Sequence, residues 1–549
     1  MSDPSAPSPD GGYLAAATLR AHGVDTMFTL SGGHLFPLYD GCVKTDLRLV
    51  DTRHEQTAAF AAEGWAKVTR RVGVAALTAG PGVTNGISAL TSAHMNGSPM
   101  CVIGGRAPSA RWGVGSLQEL DHIPIVAPVT KAAGTLDHAD AIPGGLGDAL
   151  RAACTPHRGP VFVDVPLDAW GPSDAAVAGP PDPTALAGPA ADPGDLDAVA
   201  RLVGAARRPV LMIGGDVYWA GAEAEVLAFA EAVRIPVFAN DMGRGVVPAD
   251  HDLAFSRARS AAFSGADLMI VAGTPLDFRL AFGAFAAPVV HLADSPAGVA
   301  RHVELEGSAA GDLRAAFATL ADTASSATAE GARTEREDWI RSLRDDELAK
   351  RSTEQARLDS DSDPIDPARI FGELRARLDR DAIVIGDGGD FVSYAGKYVD
   401  TFTPGCFLGP GPYGCLGSGT GYALAAALAH SERQVVVCFG DGAIGFTLGD
   451  LDTLVRHGVN VTAVVGNNGI WGLEKHPMQM IFGYDVVAEL RPGTRYDLVA
   501  EALGGHGELV AAPSEIGPAL DRAFAHDGCS VVNVLTDPGD AYPRSSNLG

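Results

Sequence analysis

Two short motifs set at a fixed distance carry the clearest chemistry in this chain. Gly440-Asp441-Gly442 closes the apolar run Gln434-Val435-Val436-Val437-Cys438-Phe439. Asn467-Asn468 closes a second apolar run, with 24 residues between Gly442 and Asn467. Both runs are too short for helices and rich in Val, which predicts neighbouring parallel strands. Helical periodicity from Phe446 to His457 makes the unit strand–helix–strand. Such a unit opens both strand C-termini on one edge of the sheet, where ligands bind. Asp441 and Asn468 are hard oxygen donors, and Mg2+ takes few protein oxygens alongside phosphate oxygens and water. A glycine-rich turn running into a helix also points backbone N–H groups at a diphosphate.

A second constellation lies far upstream. Asp51 to Gly64 reads as a strand end followed by a small-residue helix, with Glu55 at the helix start. Alone, Glu55 would be a solvated carboxylate favoured by the helix dipole. Thr78-Ala79-Gly80-Pro81-Gly82-Val83-Thr84-Asn85 forms a glycine-rich loop after the next strand. In this order the three motifs resemble the signature of thiamine-diphosphate (ThDP) enzymes. The resemblance implies that Glu55 lies against N1′ of the cofactor's aminopyrimidine. There it favours the imino tautomer at N4′, which removes the thiazolium C2 proton. Gly80 and Asn85 then belong to the next cofactor loop. Gly440, Gly442, Ala443 and Asn468 would hold the diphosphate, and Asp441, Asn468 and the backbone carbonyl of Ile470 would hold Mg2+.

The resemblance covers three units in the order of the acetolactate synthase superfamily. It implies an α/β fold of three doubly wound parallel-sheet domains: pyrimidine-binding (1–175), central with a possible nucleotide or CoA site (196–320), and diphosphate-binding with a C-terminal tail (365–549). Ser31-Gly32-Gly33-His34 falls beside the thiazolium, where benzaldehyde lyase also carries a histidine, so His34 takes that place. Gln118, in Ser116-Leu117-Gln118-Glu119-Leu120-Asp121-His122, takes the place of a cofactor-facing glutamine. Gly389 and Asp390 stand at diphosphate-contacting positions, and the missing side chain at Gly389 is expected to leave room near the thiazolium. Leu416 would support the cofactor's bent shape, and Leu473 to Pro477 would line the substrate side. Glu489, in an apolar stretch, is expected to face a pocket as a general acid–base with a raised pKa. Residues 541–549, with Arg544, are expected to close over the site.

His34, Gln118 and Glu489 are thus the candidates for proton transfer and carbonyl polarisation. Segments of the central unit, among them Met242 to His251, look like the CoA-using relatives 2-hydroxyacyl-CoA lyase and oxalyl-CoA decarboxylase. Asp277-Phe278 departs from their usual Asn-Trp, and no FAD segment is recognisable. The first reading is therefore a C–C lyase that cleaves a 2-hydroxyacyl-CoA to formyl-CoA and an aldehyde or ketone. The alternative is an acetolactate-synthase-like carboligase or decarboxylase acting on 2-oxoacids such as pyruvate. A non-catalytic ThDP-fold subunit is a third reading, which intact Glu55, Asp441 and Asn468 oppose. The resemblance also implies a homodimer or homotetramer, with Glu55 and Asp441 of one site coming from different subunits.

Composition is consistent with this picture. A chain of 549 residues with 46% hydrophobic content suggests several buried cores. The net charge of −26 argues against a non-specific nucleic-acid surface. No apolar run approaches the roughly 20 residues that span a bilayer. The polar, Pro-rich start (1–12) shows no signal peptide. Seven scattered cysteines without CxxC spacing read as reduced core residues of a cytoplasmic protein. Residues 176–195 read as an extended linker, and polar stretches at 321–333 and 359–367 as a second linker around a charged helix.

Overall fold

The computed structural model describes residues 9–180, 188–328 and 330–542. Part of the first linker, most of the polar start and the tail from 543 onward, Arg544 included, lie outside these residues.

Three parallel sheets form in chain order. The first contains β1 (Thr26–Thr29), β2 (Arg48–Asp51), β3 (Gly73–Leu77), β4 (Met100–Arg106), β5 (Ala132–Thr135) and β6 (Pro160–Pro166), in the order β2-β1-β3-β4-β6-β5. The second contains β7 (Pro209–Ile213), β8 (Val237–Ala239), β9 (Leu268–Ala272), β10 (Val289–Ala293) and β11 (Gly307–Ala310), in the order β11-β10-β9-β7-β8. The third contains β12 (Ile383–Asp387), β13 (Phe407–Leu408), β14 (Val435–Gly440), β15 (Val461–Asn467), β16 (His506–Val510) and β17 (Cys529–Leu535), in the order β13-β12-β14-β15-β17-β16. Helices on both faces bury the sheets, which is why the central strands are almost unbroken runs of Val, Ile and Ala. The three-domain α/β fold expected from the sequence is the observed one.

β14 and β15 pair directly in parallel, with Gly440 beside Gly466. The helical stretch between them is broken: Asp441–Ile444 forms one turn, and Leu451–Arg456 forms the second piece after a 3-10 turn. The stretch 321–333 is not a linker. Helix Leu313–Ala327 and a long helix, Glu330–Leu358, occupy nearly all of it. Arg336, fully buried on the long helix, donates to the carbonyls of Val203, Ala206 and Val233. These carbonyls belong to helix ends or their flanks, so the guanidinium satisfies acceptors that helices leave open and binds the long helix to the central domain.

Charged groups sit in several of the contacts that join the first domain to the others. Helix Glu55–Thr69 lies against helix Gly419–Ala429 at close range. A Cβ on Gly421 would meet Phe60 Cβ at 2.7 Å and the Thr57 carbonyl at 2.8 Å. Inside that contact Lys67 Nζ stands 3.0 Å from Glu63 Oε1 and 3.0 Å from the Tyr422 hydroxyl. Tyr422 in turn donates to Glu63 Oε2 at 2.8 Å. Burial, with the Glu63 charge beside it, keeps the Tyr422 phenol well above its ordinary value. On the other side, His157 Nδ1 lies 3.4 Å from Asp216 and 3.3 Å from Asp294 of the central domain. Partial desolvation opposes charge on the half-exposed His157, but the two carboxylates outweigh it and push its pKa up to about 10. Among the described residues no helix is long and apolar enough to cross a membrane, and the seven cysteines are free.

Candidate active site

The third sheet builds one half of the site. Gly440 ends β14, and helix Asp441–Ile444 begins at once, so the Asp441 carboxylate sits at the strand-to-helix turn. Its Oδ2 accepts from Gly469 N at 2.8 Å and its Oδ1 from Gly442 N at 3.0 Å. The Tyr496 hydroxyl donates to the Asp441 carbonyl at 3.1 Å. Burial pushes the Asp441 carboxyl up to about 6, against the pull of the two N–H groups. A nearby divalent cation would reverse that shift. Asn468 follows β15, and its Oδ1 accepts from Ile470 N at 3.2 Å.

The two asparagines have separate tasks because side chains alternate along a strand. Asn467 is buried and donates to the Thr494 carbonyl and to Asn533 Oδ1. Asn468 lines a cavity of about 1440 Å³ together with Gly440, Asp441, Gly442, Ala443 and Ile470. Gly389, Asp390 and Leu416 line the same cavity. A carboxylate, an amide oxygen and main-chain groups at a glycine turn form a donor set that suits Mg2+ and a diphosphate. Two glycines there have no space for a side chain. A Cβ on Gly442 would strike the Trp471 ring at 2.3 Å, and Gly388, at φ 116°, lies 3.0 Å from Gly440 N by the same measure.

Two sequence expectations change here. Gly389 leaves no free room, because Leu473 fills it: a Cβ on Gly389 would meet Leu473 at 2.9 Å. Glu489 does not face a pocket. Its side chain is 62% exposed and ion-paired with Lys475.

Two residues that shape this half were not among the expected site residues, although Asp387 lies in the segment expected to contact the diphosphate. Asp387, fully buried at the end of β12, accepts from Gly417 N at 3.2 Å and Gly419 N at 2.7 Å. It thereby fixes the loop that carries Leu416. Burial lifts its carboxyl to about 6 despite these donors. Asp450 accepts from Arg53 N and Thr57 Oγ1, each at 2.7 Å, and so seats the Glu55 helix on the third domain. Asp450 shares its turn with Thr447, Asp452 and Thr453, so no local signal sets it apart.

The first domain builds the other half. Glu55, the first residue of its helix, is 9% exposed and accepts from Asn85 Nδ2 at 3.0 Å. His34 is buried, with Nδ1 3.3 Å from Thr78 Oγ1. Burial holds its imidazole below the ordinary value, against a hydrogen bond to the Leu117 carbonyl. Gln118 sits against Gly80: a Cβ there would lie 3.1 Å from both Gln118 Cβ and its carbonyl oxygen. Glu55, His34, Gln118, Gly80 and Asn85 therefore gather around one loop. None of the five lines the cavity that holds Asp441 and Asn468 in the same chain. The chain does bring the halves near one another, since Gln56 Nε2 donates to the Leu416 carbonyl at 3.3 Å.

The cavity also runs on to the C-terminal edge of the second sheet, where Ile213, Phe238 and Asn240 line it. Its arginines there are already engaged. Arg279 is ion-paired with Asp277 and Asp241, and Arg351 with Asp400 and Glu347. Arg244 donates to the carbonyls of Gly396 and Val399. Ala541 and Tyr542 reach the cavity as well.

Three family models match the chain. They are the N-terminal TPP binding domain of thiamine pyrophosphate enzymes over residues 9–125, the central domain over 196–320 and the C-terminal TPP binding domain over 387–534. The chain is 53% identical to an acetolactate synthase large subunit of Mycobacterium tuberculosis, with 100% of each chain covered. It is 32% identical to 2-hydroxyacyl-CoA lyase 2 of Caenorhabditis elegans over 96% of this chain and 90% of that one. Against the Homo sapiens 2-hydroxyacyl-CoA lyase 2 the figures are 32%, 92% and 86%.

Proposed function

Since this chain belongs to the thiamine pyrophosphate enzymes, we propose that it is an acetolactate-synthase-like carboligase joining two 2-oxoacids. The observation that carries this reading is the 53% identity over the whole of both chains to an acetolactate synthase large subunit, against about one third to the lyases. It reverses the order of the two readings drawn from the sequence. The CoA-lyase reading stays second, because the cavity continues from the diphosphate loops to the central sheet edge, where a nucleotide would fit.

ThDP, when bound, supplies a C2 carbanion that attacks a carbonyl carbon and accepts the electron pair of a broken C–C bond. The chain's own residues do the rest. Asp441, Asn468 and the Ile470 carbonyl would hold Mg2+ beside the diphosphate, and the Gly440–Ala443 turn would add N–H donors. Leu416, in the loop that Asp387 fixes, would support the cofactor. Glu55, kept in place by Asn85, would hold a proton at N1′. His34, which burial favours in the neutral form near pH 7, would exchange a proton with the substrate oxygen, and the Gln118 amide would polarise the carbonyl by donating a hydrogen bond to it. Glu489 has no part in this scheme. The separation of Glu55 from the cavity that holds Asp441 supports an active unit of at least a dimer, in which each chain would complete its partner's site.

The test is one substrate panel on the purified protein with ThDP and Mg2+. Pyruvate should yield acetolactate and CO2 in a ratio of one to one. Formyl-CoA from 2-hydroxyacyl-CoAs, with no acetolactate from pyruvate, would reverse the order again.

A further inference from the structure

The loop from Thr78 to Asn85 touches every candidate of the first domain. Thr78 meets His34, Gly80 backs onto Gln118, and Asn85 holds Glu55. The middle of the loop is held by one buried side chain. Gly80 N donates to His122 Nε2 at 2.9 Å, and His122 is fully buried. Since a backbone N–H can only donate, Nε2 must accept, and the ring proton sits on Nδ1. That Nδ1 lies 2.9 Å from Asp164 Oδ2. Asp164, also fully buried, stands on β6 within the sheet and accepts from Arg106 Nη1 at 2.9 Å. Arg106 in turn stacks over Trp112, 4.0 Å from the ring centroid. A chain of hydrogen bonds thus runs from the rigid sheet to the middle of the loop.

The backbone at the loop shows why a pin is needed. Gly80 has φ 63° and Gln118 has φ 59°. For a glutamine the left-handed region is uncommon and is held only where surrounding structure over-determines it. Gly80 and Gln118 lie against one another, so the pin on Gly80 also holds Gln118 in that conformation. Gly80 is followed directly by helix Pro81–Asn85, whose last residue donates to Glu55.

We propose that His122 is a positioning residue: through Gly80 it sets the loop that places Glu55, Gln118 and His34 for catalysis, without touching substrate or cofactor. This rests on the roles given above to Glu55 and Gln118, but not on which substrate is used. Removing the Nε2 acceptor leaves a buried N–H unpaired and frees the loop to shift. A shift of about 1 Å in such a group costs roughly 100-fold in rate. The diphosphate end of the site, built by the third domain, stays in place.

The experiment compares His122→Leu, which removes the acceptor, with His122→Gln, whose carbonyl oxygen replaces it. Three readouts are taken: amide hydrogen exchange of a peptide spanning 78–85, ThDP affinity, and deuterium exchange at the cofactor C2. In His122→Leu the peptide should exchange at least about 10-fold faster, and C2 exchange should fall about 10- to 100-fold. ThDP affinity should stay within about threefold. His122→Gln should recover most of both losses. Wild-type amide and C2 exchange in His122→Leu would overturn the inference. So would equal damage in both variants with loss of ThDP, which marks a purely structural residue. If His122→Leu does not fold, His122→Gln and Asp164→Asn carry the comparison: near-wild-type C2 exchange in the first with a marked loss in the second supports the pin, and no difference refutes it. C2 exchange needs no substrate, so a failure of the carboligase reading shows separately, as absence of acetolactate from the wild type.

Discussion

Lys67→Met tests how the Glu55 helix is held. Lys67 is 2% exposed and Glu63 0%, and the ammonium also lies over the Tyr422 ring at 4.4 Å. Removing one partner of a buried ion pair costs about 3–5 kcal/mol, because the other charge is left uncompensated. Glu63 keeps three donors: Asn96 Nδ2 at 2.8 Å, Ser98 Oγ at 3.2 Å and the Tyr422 hydroxyl at 2.8 Å. These place the cost at the lower end, about 3 kcal/mol. For a cooperative unit of 150–250 residues that corresponds to a fall of about 6–12 °C in Tm. Differential scanning calorimetry reads it directly. The double variant Glu63→Gln with Lys67→Met removes the stranded charge and should recover most of the loss. A single variant melting within about 1 °C of wild type would refute the reasoning, since it would mean that Glu63 needs no counter-charge at this interface.

Asp441→Ala should abolish ThDP retention on gel filtration at any Mg2+ concentration, because it opens the cation site and removes the carboxylate that fixes Gly442 and Gly469. Glu55→Gln should keep the fold but slow C2 deuterium exchange by orders of magnitude, since an amide cannot hold the N1′ proton as a carboxyl does; an unchanged rate would make Glu55 structural only. His157 links pH to stability. Its pKa rises from 6.5 to about 10 on folding, so its contribution is complete below about pH 6.5 and is lost as pH climbs through 10. Urea midpoints measured from pH 6 to 10 should fall for the wild type and stay flatter for His157→Gln. The exposed, ion-paired Glu489 should tolerate Gln with less than about twofold change in turnover.

Much of this enzyme is legible from its sequence. Strands buried on both faces are uninterrupted apolar runs, so β14 and β15 and the turns that end them could be read directly, and a motif that must sit on a strand end carries its own location. Gly440 to Ala443, Asn468, Glu55 and the Thr78–Asn85 loop all fall in this class. The stretch 321–333 misled because polar Ala- and Thr-rich sequence marks a solvent-facing helix as readily as a linker, and only the docking of Arg336 distinguishes them. Gly389 and Glu489 misled for a different reason: whether a missing side chain leaves space, or a carboxylate faces a pocket, depends on residues distant in sequence. Leu473 and Lys475 decided those two cases. His122 lay in a segment already singled out, yet its task depends on Asp164, 42 residues away, and on a left-handed backbone at Gly80. Local pattern encodes what a segment is. What a side chain does is set by the neighbours that folding brings to it, and burial, charge and hydrogen-bond direction have no value until those neighbours are in place.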